Sequence, residues 1–450
     1  MSPKFNGDVI ARRVFFLSAL VLAFLYGVTA TKLNIFPAPL ILSAKGAADY
    51  LLEQLGGRTA WYYHSTDQRE QVVVHAPEEV APGLTLIGEL GTDEKSHVKI
   101  VDGSGRVIHS WRIDWYEMWP DPAHLPAEVV PKTAPSEIHG VKLASNGDLI
   151  FNFEKLGMVR LDPCGQVVWR LPHRTHHSIH IDENGHIWTS GLITRQSPQP
   201  LLPNYAPPFE EFTILEVTPD GRIVRELSVA KLLIDNDLRG LLYMGTTSNR
   251  STKVTDDTLH VNDVEVFPSW RAPGVFTPGD IMISLRNINA IAVFDPATLR
   301  IKFLSIGKVL RQHDPEFLDG NTITVFDNNN LAVWHDDGSL PDPAGHYSRV
   351  VAISAKTGDS EVRFSGSKEQ PFFTDIMGKH QWLSNGNLLL TEAVAGRVVE
   401  VNPQGRIISE YFNLQGAGVV GLVDDAVRLP PEFDEAFFAK AVAACRTETD

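Results

Sequence analysis

Short apolar runs, broken every few residues by Gly, Asn, Asp or Pro, fill most of this chain. That pattern predicts β-strands joined by tight turns. One hairpin-like unit recurs, as IVDGSGRVIHSW from Ile100, MVRLDPCGQVVWRL from Met158, ILEVTPDGRIVREL from Ile214, IAVFDPATLRIKFL from Ile291, VVAISAKTGDSEVRF from Val350 and VVEVNPQGRIISEY from Val398. Ahead of each lies a turn glycine followed by a β-rich run, at Gly83, Gly147, Gly185, Gly279, Gly320 and Gly386. Four strands per repeat make the blade of a β-propeller, in which radial repetition protects sheet edges. The repeat therefore predicts an all-β fold, a six-bladed β-propeller over residues 75–430. The stretch after Tyr411 is a candidate extra strand for the first blade. Trp111, Trp169 and Tyr411 fall at equivalent hairpin ends and read as blade packing. Insertions at about 191–211, 231–258 and 331–347 are expected on one face, as a rim or lid.

The chain ends depart from this pattern. Lys4, Arg12 and Arg13 precede an apolar run from Val14 to Ala30, a positive flank followed by a hydrophobic segment. Residues 1–30 are expected to form a transmembrane anchor or signal helix, and residues 31–74 a juxtamembrane linker with a helix from Ser43 to Leu55. Residues 431–450 read as a C-terminal helix and tail. The chain would then sit in the inner membrane with its propeller in the periplasm or otherwise outside the cytoplasm. The alternative is secretion to the periplasm after cleavage near Val28-Thr29-Ala30.

With 43% hydrophobic and 21% charged residues the composition excludes wholesale disorder. A net charge of -15 without any basic run argues against a nucleic-acid partner. Cys164 and Cys445 lie far apart and lack CxxC spacing, so neither a disulfide framework nor a thiolate metal site is implied.

Histidine follows the repeat. His139, His177, His313 and His380 each lie six to eight residues before a turn glycine. His260 takes that slot in the fourth repeat, with an insertion carrying Trp270 and Arg271 before the glycine, and His75 fits it before Gly83. The first strand of each propeller blade lines the central channel, so these imidazoles are expected to converge. One such histidine is most simply structural; several in one slot point to an anionic ligand or a metal.

RQHDPEFLDGNTITVFDN from Arg311 to Asn328, LHVNDV at His260, SLR ending at Arg286 and HHSIHIDENG around His177 together resemble the bacterial arylsulfotransferase family, over roughly residues 75–415. The resemblance implies a propeller enzyme that moves a sulfuryl group from an aryl sulfate donor to a phenolic acceptor without a nucleotide cofactor. It puts the transiently sulfated histidine on His313 and the sulfate-site residues on His177, His260 and Arg286. His139 and His380 would add substrate contacts. The residue types suit that chemistry. A neutral imidazole can attack sulfur, Arg286 and donor imidazoles can stabilise developing charge, and His260 can exchange a proton with the phenol. No GxxxxGK[ST] loop is present to cradle a nucleotide, and no cofactor or metal is expected. The interval from His260 to Arg286 is long for the family because of the insertion SWRAPGVFTPG. Trp115, Tyr116 and Trp119 would wall an aromatic-ring site or serve packing.

Two rival readings stand beside this one. A metal-dependent propeller hydrolase would draw on His173, His176, His177 and His180, although strand alternation turns His176 and His177 to opposite faces. A non-catalytic propeller would bind a surface partner or a polysaccharide with its rim.

Overall fold

The polar turn of each recurring hairpin is held by its own first side chain. Asp102, Asp162 and Asp182 accept backbone N–H groups two and four residues on, and glycines such as Gly165 (φ 79°) supply the left-handed step that lets the chain reverse. The computed structural model describes residues 7–33, 36, 62–127, 129–131, 137–245, 254, 257–333, 342–416 and 418–447. It divides into two units, Met1–Ala60 and Trp61–Asp450. The first holds a helix over Gly7–Leu33, whose segment Ala11–Ala30 has a mean hydropathy of 1.9 and is long and apolar enough to cross a membrane or act as a signal sequence. The expected helix at Ser43–Leu55 lies outside the described residues.

The second unit is a six-bladed β-propeller of antiparallel sheets. Blades two to five are each continuous in sequence: Ile138–Leu171, Arg174–Ser228, Val261–Ile306 and His313–Ser365. The first blade takes its outer three strands from Thr85–Ile113 and its channel strand from Val423–Arg428, so the two ends of the propeller close the ring within one sheet. The sixth, Lys379–Phe412, gains a fifth, outermost strand from Val72–Val74, and Tyr63–Ser65 pairs with Val419–Gly421. The propeller thus begins within the stretch expected as a linker. His75 follows that outermost strand, where it is exposed and ion-paired to Glu410 at 2.8 Å. It does not line the channel, because the channel strand of the first blade comes from the C-terminus.

Apolar residues between neighbouring blades form the core, for example Phe267, Phe276 and Phe317 between blades four and five. The recurring outer-strand rings also join blades. Trp111 donates to the Asp162 carbonyl at 2.8 Å, Trp169 to the Pro219 carbonyl at 3.0 Å and Tyr411 to Glu89 at 2.8 Å, each a contact with the next blade. Trp115 and Trp119 stack with ring centroids 5.2 Å apart, and Trp115 packs edge-on against Phe153, so both are buried between blades one and two. A C-terminal helix, Glu435–Thr447, packs here through Phe438. Its Cys445 is disulfide-bonded to Cys164, across 281 residues of sequence. The absence of CxxC spacing carried no warning of this pairing, because the fold, not the sequence, brings the two residues together.

Candidate active site

All six channel strands run the same way, so their first residues gather at one mouth. There the strands of blades two to five break register, and a residue in the left-handed region lies at or just before each break: Gly140 (φ 85°), His177 (φ 59°), His260 (φ 52°), immediately ahead of its strand, and Asp314 (φ 49°). Such a bulge re-aims side chains and breaks the alternation expected of a strand. As a result His176 and His177, which should face opposite ways, meet with their Nδ1 atoms 2.7 Å apart. At Gly140 no side chain fits, since a Cβ would lie 2.3 Å from the His177 carbonyl oxygen.

The bulges bring His139, His177, His260 and His313 together from four successive blades. Ring centroids lie 4.2 Å apart for His139 and His177, 4.8 Å for His177 and His260, and 6.4 Å for His177 and His313. Arg286 belongs to the same cluster: its backbone N–H donates to the His260 carbonyl at 3.0 Å and its charge acts on both His260 and His313. The SWRAPGVFTPG insertion does not disturb this, because residues 267–280 join two strands at the opposite mouth. His380 lies outside the cluster. Its ring bonds Asp314 at 3.1 Å and Thr324 at 2.8 Å, while the adjacent Lys379 occupies the channel, 2.7 Å from Ser178 and 3.0 Å from Asp314. His173 pairs with Glu226 and His180 lies farther down its strand, so the four histidines of the rival metal reading do not form one group.

Hydrogen bonding fixes the tautomers. Asn328 donates its amide N–H groups to the carbonyls of Thr374 (3.0 Å) and Met377 (2.8 Å), so its oxygen faces His313 Nδ1 at 2.7 Å and must accept a proton from it. His313 Nε2 then carries the lone pair; it is buried and has no hydrogen-bond partner among the described residues. On the other side His260 donates from Nδ1 to the Asp257 carboxylate. Its Nε2 accepts from His177 Nε2 at 3.2 Å, and His177 Nδ1 accepts in turn from His176 Nδ1. Three imidazoles thus form a one-way chain ending on Asp257. Glu154 Oε2 stands 3.5 Å from both His139 Nδ1 and His177 Nδ1.

Burial lowers the pKa of His313 and His177 well below the ordinary imidazole value, and the charges of Arg286 and of the neighbouring rings add to this. Burial also holds His176 down at about 3 and lowers His260, against the opposing pull of Asp257. His139 behaves differently. Burial disfavours its charge, but the Glu154 hydrogen bond and the Asp424 charge outweigh that and raise its pKa. Burial, then Arg311, lowers Arg286 to about 10, which leaves it cationic at neutral pH. The mouth therefore sets the neutral imidazoles of His177, His260 and His313 beside the Arg286 guanidinium and a His139 biased toward its charged form, an arrangement suited to a small oxyanion. Asp257 and Glu154 escaped the sequence reading, and His176 entered it only in the rival metal set; the trace of Asp257 was its position, three residues before His260 and within an insertion.

A family profile described as Arylsulfotransferase (ASST) matches residues 140–413. The chain belongs to the arylsulfotransferase family. The match takes in the second to sixth blades, and with them His177, His260, Arg286, His313 and Asn328. No curated protein matches the chain. Among solved structures this arylsulfotransferase-family chain is similar to a protein of unknown function from Bacteroides caccae, at 11% identity over 76% of this chain and 97% of that one, with a TM-score of 0.46. It is similar to TolB from Acinetobacter baumannii at 12% identity over 76% and 66%, with a TM-score of 0.41. Virginiamycin B lyase from Staphylococcus aureus is another such likeness, at 14% identity over 67% and 87%, with a TM-score of 0.34.

Proposed function

We propose that this protein is an aryl-sulfate sulfotransferase that works through a sulfohistidine on His313. The observation that carries the reading is the buried, unpaired Nε2 of His313, with the opposite ring nitrogen committed to Asn328. That nitrogen attacks the sulfur of an aryl sulfate, an N–S bond forms and the S–O bond to the aryl group breaks. For this step the neutral chain takes up one proton: His260, its Nδ1–H still on Asp257, becomes the imidazolium, no longer accepts from His177, and gives its Nε2 proton to the departing phenolate. In the second displacement the neutral His260 takes the proton of an acceptor phenol, whose oxygen attacks sulfur. The N–S bond breaks and its electron pair returns to His313. Arg286 and the His139 imidazole stabilise the sulfuryl oxygens, while His177 holds the neutral His260 in place. No nucleotide takes part, and His380 acts indirectly, by holding Asp314 beside the channel.

The decisive test is an assay with a chromogenic aryl sulfate and a phenolic acceptor. Wild-type protein should give acceptor-dependent release, and His313→Ala should lower it by at least ~10³-fold. Full activity in that variant would remove His313 as nucleophile, and no activity with any of several donors would remove the reaction itself.

The propeller is further read as working outside the cytoplasm, held by an anchor at residues 1–30 or released after its cleavage. The disulfide between Cys164 and Cys445 supports this, since such bonds persist in oxidising compartments. A second reading rests on one observation: ligand atoms of His139, Glu154 and His177 all lie within 4.8 Å of one another, close enough to hold a metal. Stoichiometric zinc in purified protein, required for turnover, would favour that reading over metal-free transfer.

A further inference from the structure

The channel strands Arg174–Ile181 and Val261–Val266 carry the histidine cluster at one mouth and end at the other, where a cavity of about 510 Å³ opens between the third and fourth blades. The sulfuryl-transfer reading makes no use of it. Its outer wall is the insertion that sets this chain apart, residues 267–280, which is packed tightly against the rest of the fold. Phe276 is fully buried against Phe267 and Phe317, the Phe276 N–H donates to the Gly320 carbonyl at 2.9 Å, and Gly274 leaves no room for a side chain against Gly320 and Asn321. On this anchored loop Trp270 is 71% exposed at the cavity's edge, with the Arg271 guanidinium 4.8 Å from its ring centroid. Across the cavity Trp188 is buried, with the guanidinium of Arg225 over its ring at 5.9 Å, so that wall presents Arg225. A large indole held in water by a well-packed loop adds nothing to the fold, and such exposed aromatic groups mark contact sites.

The polar lining indicates what kind of molecule fits. Arg225 is ion-paired to Glu216 at 3.1 Å, Asp182 accepts from Trp188 Nε1 at 3.0 Å and Glu183 accepts from the Ser269 N–H at 3.1 Å. The lining thus sets the carboxylates of Asp182, Glu183 and Glu216 against the guanidinium groups of Arg225 and Arg271, so neither sign of charge dominates and a neutral ligand suits it best. Each carboxylate still has lone pairs to spare, and the Arg271 guanidinium, which donates to the Leu318 carbonyl, has further N–H groups to offer. Planar acceptors and donors beside the one exposed indole face, that of Trp270, match a molecule with hydroxyls on its edge and C–H groups on its faces.

We propose that this cavity is a glycan-binding site that takes pyranose units of a neutral polysaccharide, with Trp270 as its platform, on the face of the propeller opposite the transfer site.

The test uses the full chain and the tryptophan fluorescence of titrations with neutral hexasaccharides: α-1,4-, β-1,4- and β-1,3-linked glucose, β-1,4-linked mannose and β-1,4-linked N-acetylglucosamine. At least one should bind saturably with a Kd below ~1 mM. Trp270→Ala and Arg271→Ala should each weaken that binding by about tenfold or more, with the melting temperature and aryl sulfate turnover unchanged. The proposal is overturned if none of the five binds, if Trp270→Ala binds as tightly as wild type, or if only a uronate or sulfated hexasaccharide binds.

Discussion

The amide oxygen of Asn328 lies 2.7 Å from Nδ1 of His313, and the same amide is held by two backbone carbonyls of the segment that leads into the sixth blade. One asparagine thereby sets which nitrogen of the candidate nucleophile bears the proton. Asn328→Ala should slow sulfation of His313 by about 10²-fold, followed by quenched-flow release of nitrophenol. The freed carbonyls of Thr374 and Met377 should also cost about 1–3 kcal/mol in denaturant unfolding.

The pH dependence of the two half-reactions should separate His260 from His313. Because the His313 pKa lies well below the ordinary value, its lone pair stays available and release of an activated nitrophenolate should be level from about pH 8 to about pH 6. A poorly activated phenyl sulfate needs His260 protonated, so its rate should fall as pH rises through the His260 pKa. Asp257→Asn removes the group that raises that pKa, and the fall should then begin at lower pH. The acceptor half-reaction, which needs neutral His260, should persist to lower pH in the same variant.

Arg286 is the cation nearest the cluster. Arg286→Ala should lower kcat/KM for aryl sulfates by about 10²–10³-fold, and Arg286→Lys should recover only part of it, because a point charge cannot reproduce the planar fork. Equal values for wild type and Arg286→Ala would place sulfate recognition elsewhere.

Lys379 sits in the channel against Asp314 and, at 3.9 Å, Asp263. It holds Asp314 well below the usual carboxylate range, although burial opposes this. Lys379→Met would leave that carboxylate buried without its cation, and should destabilise the propeller by about 3–5 kcal/mol in denaturant titration. Adding Asp314→Asn to the variant should restore a large part of the loss.

How much of this was legible follows from what each feature depends on. Strands and turns are written locally, so counting hairpins gave six blades, and the histidine slot emerged because four of its members share one position within a repeat. The long His260–Arg286 interval raised doubt only because sequence does not say that the extra residues lie at the far mouth. The bulge that joins His176 to His177 has no local signal, since a left-handed histidine looks like any other in a string of letters. Asn328 stood at the end of the recognised FDN segment, yet its role needs two carbonyls from the segment that leads into the sixth blade. His75 was misplaced for a related reason: the repeat suggested a channel strand before Gly83, and the ring supplies that strand from the other end of the chain.

That last arrangement has a consequence for how the protein is made. Arg428 hydrogen-bonds Thr85, 343 residues earlier, along the strand that completes the first blade. During synthesis the first blade must therefore wait, one strand short, until Val423–Arg428 has left the ribosome. A nascent product that stops early keeps an unpaired sheet edge facing the channel, the kind of surface that invites mispairing and proteolysis. Ring closure thus acts as a proof that synthesis has passed Arg428, and copies that stop short of it are marked for removal by their own geometry.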